Sequence, residues 1–180
     1  MLIGLTGKNC AGKDAVADVL EHHGFERHSL SDAIRAEIKR CGLDVTRNEL
    51  IRMGNELRVK EGPGTLAKRI LAMLKTDKAV VVSVRNPGEV EELRKREGFI
   101  LVGVDAPIEV RFRRNLERRR ESAPTTLAQF VADEERENSV DQNNQQLDTC
   151  LGLADRIIIN DGTKEELKKR VDAFLKEVGA

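Results

Sequence analysis

An apolar run, Leu2 to Thr6, empties into Gly7-Lys8-Asn9-Cys10-Ala11-Gly12-Lys13-Asp14, and the spacing of Ala15, Val16, Val19 and Leu20 then marks a helix. An apolar run this short, bounded by glycine, reads as a buried parallel strand. The turn after it fits G-x-x-x-x-G-K. Glycines there let backbone amides curl inward around phosphate oxygens, and the following helix N-terminus adds a favourable field. Gly7, Lys8, Asn9, Cys10, Ala11 and Gly12 are therefore expected to cradle a polyphosphate, with Lys13 bridging its outer phosphates. The last position departs from the usual Ser or Thr. Asp14 either offers a hard carboxylate oxygen to Mg²⁺ or caps the helix.

Four more strand-like runs follow, at Phe25 to Leu30, Ala79 to Val84, Phe99 to Val104 and Arg156 to Ile159. Helical patterns fill the intervals. Ser31 is expected to cap a helix through Ala33, Ile34 and Ile38, and Thr46 with Glu49 to form a capping box that opens a helix reaching about Val59. Gly62-Pro63-Gly64 breaks the chain before a helix through Leu66, Ile70, Met73 and Leu74. Asn86 with Glu89, Thr126 with Gln129 and Thr163 with Glu166 read as capping boxes. Ile108 to Arg120 reads as a very basic helix, Ser122 to Thr125 as a loop, and residues 138–146 as a polar loop. Strands alternating with helices predict one doubly wound α/β domain over residues 1–180, with a mainly parallel five-stranded sheet. Ligands of such a sheet bind at the carboxyl ends of its strands.

Composition removes several alternatives. The 31 basic and 31 acidic side chains cancel, which disfavours a globally basic nucleic-acid binder. Five phenylalanines are the entire aromatic complement, too few for a base-stacking platform. The apolar N-terminal run is too short for a signal segment or a membrane span. Cys10, Cys41 and Cys150 form no CxxC pair, and His22, His23 and His28 have no cysteine at ligand spacing. A reducing, cytoplasmic location is expected, with no disulfide framework and no zinc site.

Ser29-Leu30-Ser31-Asp32-Ala33-Ile34-Arg35 resembles the Thr-Gly-Asp-x-x-Arg segment of adenylate kinases. With the glycine-rich turn, it makes the chain resemble the nucleoside-monophosphate kinase group of P-loop proteins. The resemblance implies a three-layer α/β/α P-loop NTPase fold, acceptor-binding helices over about 31–76, a helical lid over about 111–140, and ATP and Mg²⁺ as ligands. It places Ser31, Asp32 and Arg35 at an acceptor monophosphate, and Arg85 at the acceptor or transferring phosphate. Arg35 otherwise reads as a solvated helix residue. Glu56, Arg58 and the Gly62-Pro63-Gly64 turn fall where the group closes over its acceptor, or are a solvated helix and its stop. Kinases of the group usually end the third strand with an acid; here that strand has none. Asp14, together with Asp32, is expected to supply the carboxylate. Viral deoxynucleotide kinases and phosphomevalonate kinases look similar in carrying Gly-Lys-Asp in the loop.

Arg111, Arg113, Arg114, Arg118, Arg119 and Arg120 fall at the position of the lid, with Glu117 among them. Arg111, Arg114 and Arg118 share one helical face, and Arg114 and Arg118 are expected to act on the transferring phosphoryl group. The same cluster also reads as a nucleic-acid patch, or as a surface network with Glu134, Glu135 and Glu137. Asn160-Asp161-Gly162-Thr163 resembles the turn of dephospho-coenzyme A kinases whose backbone touches adenine, which places Asp161 and Gly162 at ATP. Across its length the chain is most similar to small prokaryotic nucleotide kinases and to the kinase-like segment of deoxycytidylate deaminases. A Mg²⁺-dependent transfer from ATP to a (deoxy)nucleoside monophosphate is implied, with a pyrimidine deoxynucleotide preferred. Dephospho-coenzyme A kinase and a nucleotide-binding sensor without transfer are the rival readings. The expected partners are small nucleotides, with no nucleic acid and no membrane, for a monomer or homodimer.

Overall fold

The computed structural model describes residues 1–118 and 123–180. Five parallel strands form one sheet: β1 (Leu2–Thr6), β2 (Glu26–Ser29), β3 (Ala79–Val82), β4 (Phe99–Asp105) and β5 (Arg156–Ile159), in the order β2-β3-β1-β4-β5. Among the described residues the helices are α1 (Lys13–His22), α2 (Leu30–Arg40), α3 (Arg47–Glu61), α4 (Thr65–Met73), α5 (Pro87–Arg94), α6 (Ile108–Glu117), α7 (Leu127–Glu137), α8 (Leu147–Gly152) and α9 (Lys164–Glu177). The chain leaves central β1 for β2 on one side and reaches β4 on the other. A crevice therefore opens at the carboxyl end of β1, where the strand order reverses.

Alternation along the strands supplies two apolar faces. Ile3, Leu5, Val80, Val82, Val102 and Val104 pack with Val16, Ala17 and Leu20 of α1 and Leu167, Val171 and Phe174 of α9. Leu2, Val81 and Leu101 pack on the other face with Ile34, Ile38, Met53, Leu57, Leu66, Ile70 and Leu93. Helices thus cover both faces, as the three-layer reading requires. Among the described residues no helix is long and apolar enough to cross a membrane.

Element boundaries shift where local geometry outweighs apolar pattern. Phe25 stays outside β2 because its amide closes the end of α1 on the Leu20 carbonyl. Leu30 begins α2, so the cap is Ser29 rather than Ser31: the Ser29 Oγ accepts from the Ser31 amide at 3.3 Å. β3 ends at Val82, not Val84, because Ser83 adopts a left-handed φ of 67°. The capping boxes at Asn86, Thr126 and Thr163 form as expected, whereas at Thr46 only the hydroxyl half forms, accepting from the Glu49 amide at 3.2 Å while the Glu49 carboxylate turns to Arg52. Residues 138–146 are the loop between α7 and α8. Helix α6 ends at Glu117 with Arg118 as its cap; Arg119, Arg120 and the start of the expected loop at Ser122 lie outside the described residues.

Candidate active site

The turn between β1 and α1 needs both of its glycines. A Cβ on Gly7 (φ 136°) would sit 2.1 Å from the Val104 carbonyl oxygen, and one on Gly12 (φ 100°) 2.0 Å from Asn160 Nδ2. Cys10 also takes a positive φ, of 59°. Several side chains pin the carbonyls of this turn. Asn160 Nδ2 donates to the Ala11 carbonyl at 2.8 Å. Arg114 Nη1 lies 3.4 Å from the Cys10 and Ala11 carbonyl oxygens, while its Nη2 donates to the Asn160 carbonyl at 3.0 Å. Arg111 reaches the Asn9 carbonyl at 3.4 Å and pairs with Glu134. Carbonyl and N–H point oppositely across a trans peptide. Drawing the Cys10 and Ala11 carbonyls outward therefore turns the amides of Ala11 and Gly12 the other way, that of Ala11 onto the Lys8 carbonyl at 3.3 Å.

Helix α6 lays its basic face along this loop in sequence. Arg111 meets Asn9, Arg114 meets Cys10 and Ala11, and Arg118 Nη2 lies 4.0 Å from Asp14 Oδ2. The shared face inferred from helical spacing is present, but its members divide. Arg118 lines the cleft, whereas Arg114 sits behind the loop, spent on carbonyls. Burial lowers the basicity of the Arg114 guanidinium. Arg113 is exposed and lines no part of the cleft.

The cleft encloses about 600 Å³. Its loop side is Asn9, Cys10, Gly12, Lys13 and Asp14; its far side carries Ser31, Asp32 and Arg35 of α2 and Arg47, Leu50 and Ile51 of α3. Arg85 and Ser83, just beyond β3, form the floor between them. Lys13, Arg35, Arg85 and Arg118, expected around the phosphates, therefore share one cavity with Ser31, Asp32 and Asp14. Gly7, Lys8 and Ala11 do not line it: Gly7 is buried, with its carbonyl accepting from Lys13, Lys8 pairs with Asp148 at 3.1 Å, and Ala11 is buried. Asp161 and Gly162 also lie outside. Asp161 pairs with Arg170 at 2.6 Å, which holds its carboxyl below the usual range, and it is the neighbouring Asn160 that reaches the loop. None of the five phenylalanines lines the cleft.

Its charges are unevenly compensated. Lys13 Nζ donates to the Gly7 and Lys8 carbonyls at 2.7 and 2.8 Å, and Arg85 Nη1 donates to Gln145 Oε1 at 2.8 Å. Among the described residues neither cation has a carboxylate within ion-pair distance. Burial, then the Arg85 charge, pushes the Lys13 ammonium down to about 7. Burial likewise lowers Arg85. The two acids that line it among the described residues are, by contrast, occupied: Asp14 Oδ1 meets Arg27 at 2.5 Å and Asp32 Oδ1 meets Arg35 at 2.6 Å.

Phosphate groups fit the loop, because among the described residues Lys13 is bonded only to backbone oxygens that a polyanion can outcompete. A divalent cation fits less completely. Among the described residues no three His, Cys, Asp or Glu side chains gather as a metal cluster. Asp14 could supply one oxygen, with phosphates and water supplying the rest, on displacing Arg27.

Arg27, Arg47 and Gln145 line the cleft without having been singled out in the sequence. Gln145 arrives through Asn86, whose Nδ2 donates to the Gln142 and Asn144 carbonyls at 2.7 Å and draws the polar loop inward. Asn86 therefore does more than cap α5. Arg58 lines the cleft but is held by Glu89 at 2.8 Å in a buried pair. The Gly62-Pro63-Gly64 turn packs against the start of α5, where a Cβ on Gly88 would come 2.7 Å from Pro63.

No family model matches the chain. It is 31% identical to the UPF0200 protein of Pyrococcus abyssi, over 99% of this chain and 97% of that one. Its fold is similar to shikimate kinase from Bacteroides thetaiotaomicron, with a TM-score of 0.62 and 14% identity over 100% of this chain and 99% of that one. Shikimate kinase from Aquifex aeolicus gives 0.58 and 18% identity, covering 99% and 98%. The architecture is that of P-loop kinases.

Proposed function

We propose that this chain, which belongs to the UPF0200 family, is a Mg²⁺-dependent phosphotransferase that moves the γ-phosphoryl group of ATP to a (deoxy)nucleoside monophosphate. The observation that carries the reading is the pair of cations at the crevice, Lys13 and Arg85, each without a carboxylate partner among the described residues. Buried charge without a partner is costly. Anionic groups from two substrates would compensate both at once.

Lys13 and the amides of residues 7–13 would hold the β and γ phosphates. Arg85 lies near enough to depress Lys13, and would face the transferring group and the acceptor phosphate together. Arg35, half exposed on α2, would leave Asp32 to grip the acceptor. Arg118 would approach from α6. Arg114, behind the loop, would act by fixing its carbonyls. Mg²⁺, when bound, supplies charge neutralisation between the phosphates, and Asp14 would offer it an oxygen. Transfer of this kind is positioning plus electrostatic stabilisation.

A phosphate acceptor is favoured over a hydroxyl acceptor for one reason. A hydroxyl needs a general base; of the carboxylates lining the cleft among the described residues, Asp14 is given to Mg²⁺ in this reading and Asp32 is bonded to Arg35 in the free protein. A monophosphate is already an anionic nucleophile. Phosphorus NMR of the chain with Mg-ATP and a panel of nucleoside and deoxynucleoside monophosphates, dephospho-coenzyme A and shikimate tests this. Transfer to a monophosphate is expected, with pyrimidine deoxynucleotides foremost. Transfer only to a hydroxyl compound, or ATP binding with transfer to nothing, overturns it.

A further inference from the structure

Helix α3 forms one wall of the cleft, and its first residue, Arg47, is the cation there with the most unusual mounting. Its Nε donates to Glu137 Oε1 at 2.8 Å, and its Nη2 bonds the same oxygen. The guanidinium is planar and rigid, so two bonds on one edge fix the direction of the other. Among the described residues the Nη1 group has no protein acceptor. Arg47 lines the cleft, and its side chain remains 47% exposed.

Glu137, the last residue of α7, has a side chain only 3% exposed. Its second oxygen, Oε2, accepts from Asn9 Nδ2 of the phosphate loop at 3.0 Å. One buried carboxylate therefore holds a loop residue with one oxygen and an acceptor-side arginine with the other. One turn earlier on α7, Glu134 pairs with Arg111, which also reaches the Asn9 carbonyl. Asn9 is thus held by side chain and by backbone, both through α7.

We infer that Arg47 contacts an anionic oxygen of the acceptor, and that Glu137 is a positioning residue holding Arg47 in fixed relation to the loaded phosphate loop. The inference extends the two-anion reading of the cleft and rests on it. The ligand class is a phosphate or similar tetrahedral oxyanion, taken between the free edge of Arg47 and Arg85. Arg47 and Arg85 line the same cleft, with Glu137 bonded behind Arg47, and Arg85 feels the charge of both. The Glu137 charge keeps Arg47 from being repelled outward by Arg85 while no anion is present.

The test uses the full chain with its loop saturated by Mg²⁺ and a non-hydrolysable ATP analogue. Inorganic phosphate is then titrated, followed by calorimetry and by the ¹⁵N resonance of the Arg47 Nε–H, identified by its loss in Arg47→Lys. Phosphate is expected to move that resonance in the wild type. Arg47→Lys, which keeps the charge and loses the fork, should weaken phosphate binding by about tenfold, within the range of one bonded charge contact. Glu137→Gln should weaken it by about fivefold and shift or broaden the Arg47 resonance before any phosphate is added, as loss of a coupling contact does. A merely structural Glu137 would lower the thermal midpoint alone, leaving resonance and affinity unchanged in the folded fraction. Equal phosphate affinity in wild type and Arg47→Lys, or no phosphate binding by the loaded wild type, overturns the inference. Arg47 lies at the surface end of α3, so Arg47→Lys remains informative if Glu137→Gln does not fold. Phosphate binding at Arg47 without transfer to any acceptor would defeat the phosphotransfer reading alone.

Discussion

Two glutamates hold the two ends of α3, and they hold them differently. Near its carboxyl end, Arg58 is 3% exposed and donates to Glu89 Oε1, while Glu89 Oε2 accepts from the amides of Arg85 and Asn86 at 2.8 and 3.1 Å. Every strong acceptor site there is taken by the protein. At the amino end, Arg47 is half exposed and keeps one edge of its guanidinium open to the cleft. The first pair is closed: it fixes α3 to the turn that carries Arg85. The second is open, and its arginine can add an anion without breaking the pair. The difference teaches that a buried carboxylate can serve as an anchor or as a bracket for a ligand. Which of the two depends on what remains unsatisfied around its partner.

Breaking the closed pair should have the largest effect. Glu89→Ala strands a buried guanidinium and two amides, and is expected to cost about 3–5 kcal/mol of stability, the range for removing one partner of a buried pair. Urea denaturation checks it; a loss under 1 kcal/mol would make the two glutamates alike. Next is Lys13→Met, which leaves the fold intact. It should lower turnover by about 10²–10³-fold, as loss of one pre-set charge contact does, with initial-rate assays as the check.

Nucleotide affinity should depend on pH through the same lysine. Its pKa is near 7 in the free protein, and a bound polyanion raises it. Affinity is therefore full below about pH 7 and falls as pH rises, by at most about tenfold per unit, until the bound-state pKa is reached. Calorimetry in buffers of different ionisation enthalpy should register proton uptake, and Lys13→Arg should abolish the slope. For stability the sign is opposite. The unfolded chain binds the proton up to the ordinary lysine range, so this group makes folding more favourable as pH rises above 7. The smallest expected effect is Thr163→Ala, far from both pairs. It removes the cap of α9, costs about 1 kcal/mol, and leaves substrate binding unchanged.

The parts of the site legible in the sequence are those built from neighbours in the chain. Gly7 to Asp14 announces itself because one turn must satisfy its own backbone, and the capping boxes of α5, α7 and α9 do so within four residues. Four of the five strands were legible from apolar runs; β2 has no apolar residue of its own and was marked only by Phe25 and Leu30, which fall outside it, and Ser83 could not be seen to take a left-handed turn that ends β3 early. The partnerships were hidden by distance along the chain. Asn160 and Ala11 are 149 residues apart, and Arg47 and Glu137 are 90 apart. Glu137 reads in sequence as one more acid after Asp133, Glu134 and Glu135. Nothing local distinguishes the buried members from the solvated one. The lid arginines show the same effect: spacing placed three of them on one face, but only the fold sends Arg114 behind the loop and Arg118 into the cleft.

The cleft walls carry no aromatic ring, and the chain has neither tryptophan nor tyrosine. Optically, then, the molecule is dark: no native indole or phenol emits. A single tryptophan placed at Leu50, on the wall opposite the phosphate loop, would be the sole emitter and would report acceptor entry against no background. If the acceptor is a nucleotide as proposed, its base would meet Val45, Leu50 and Ile51 there rather than a ring. Discrimination between bases would then fall to polar groups lining the cleft, such as Gln145, Ser29 and Ser31.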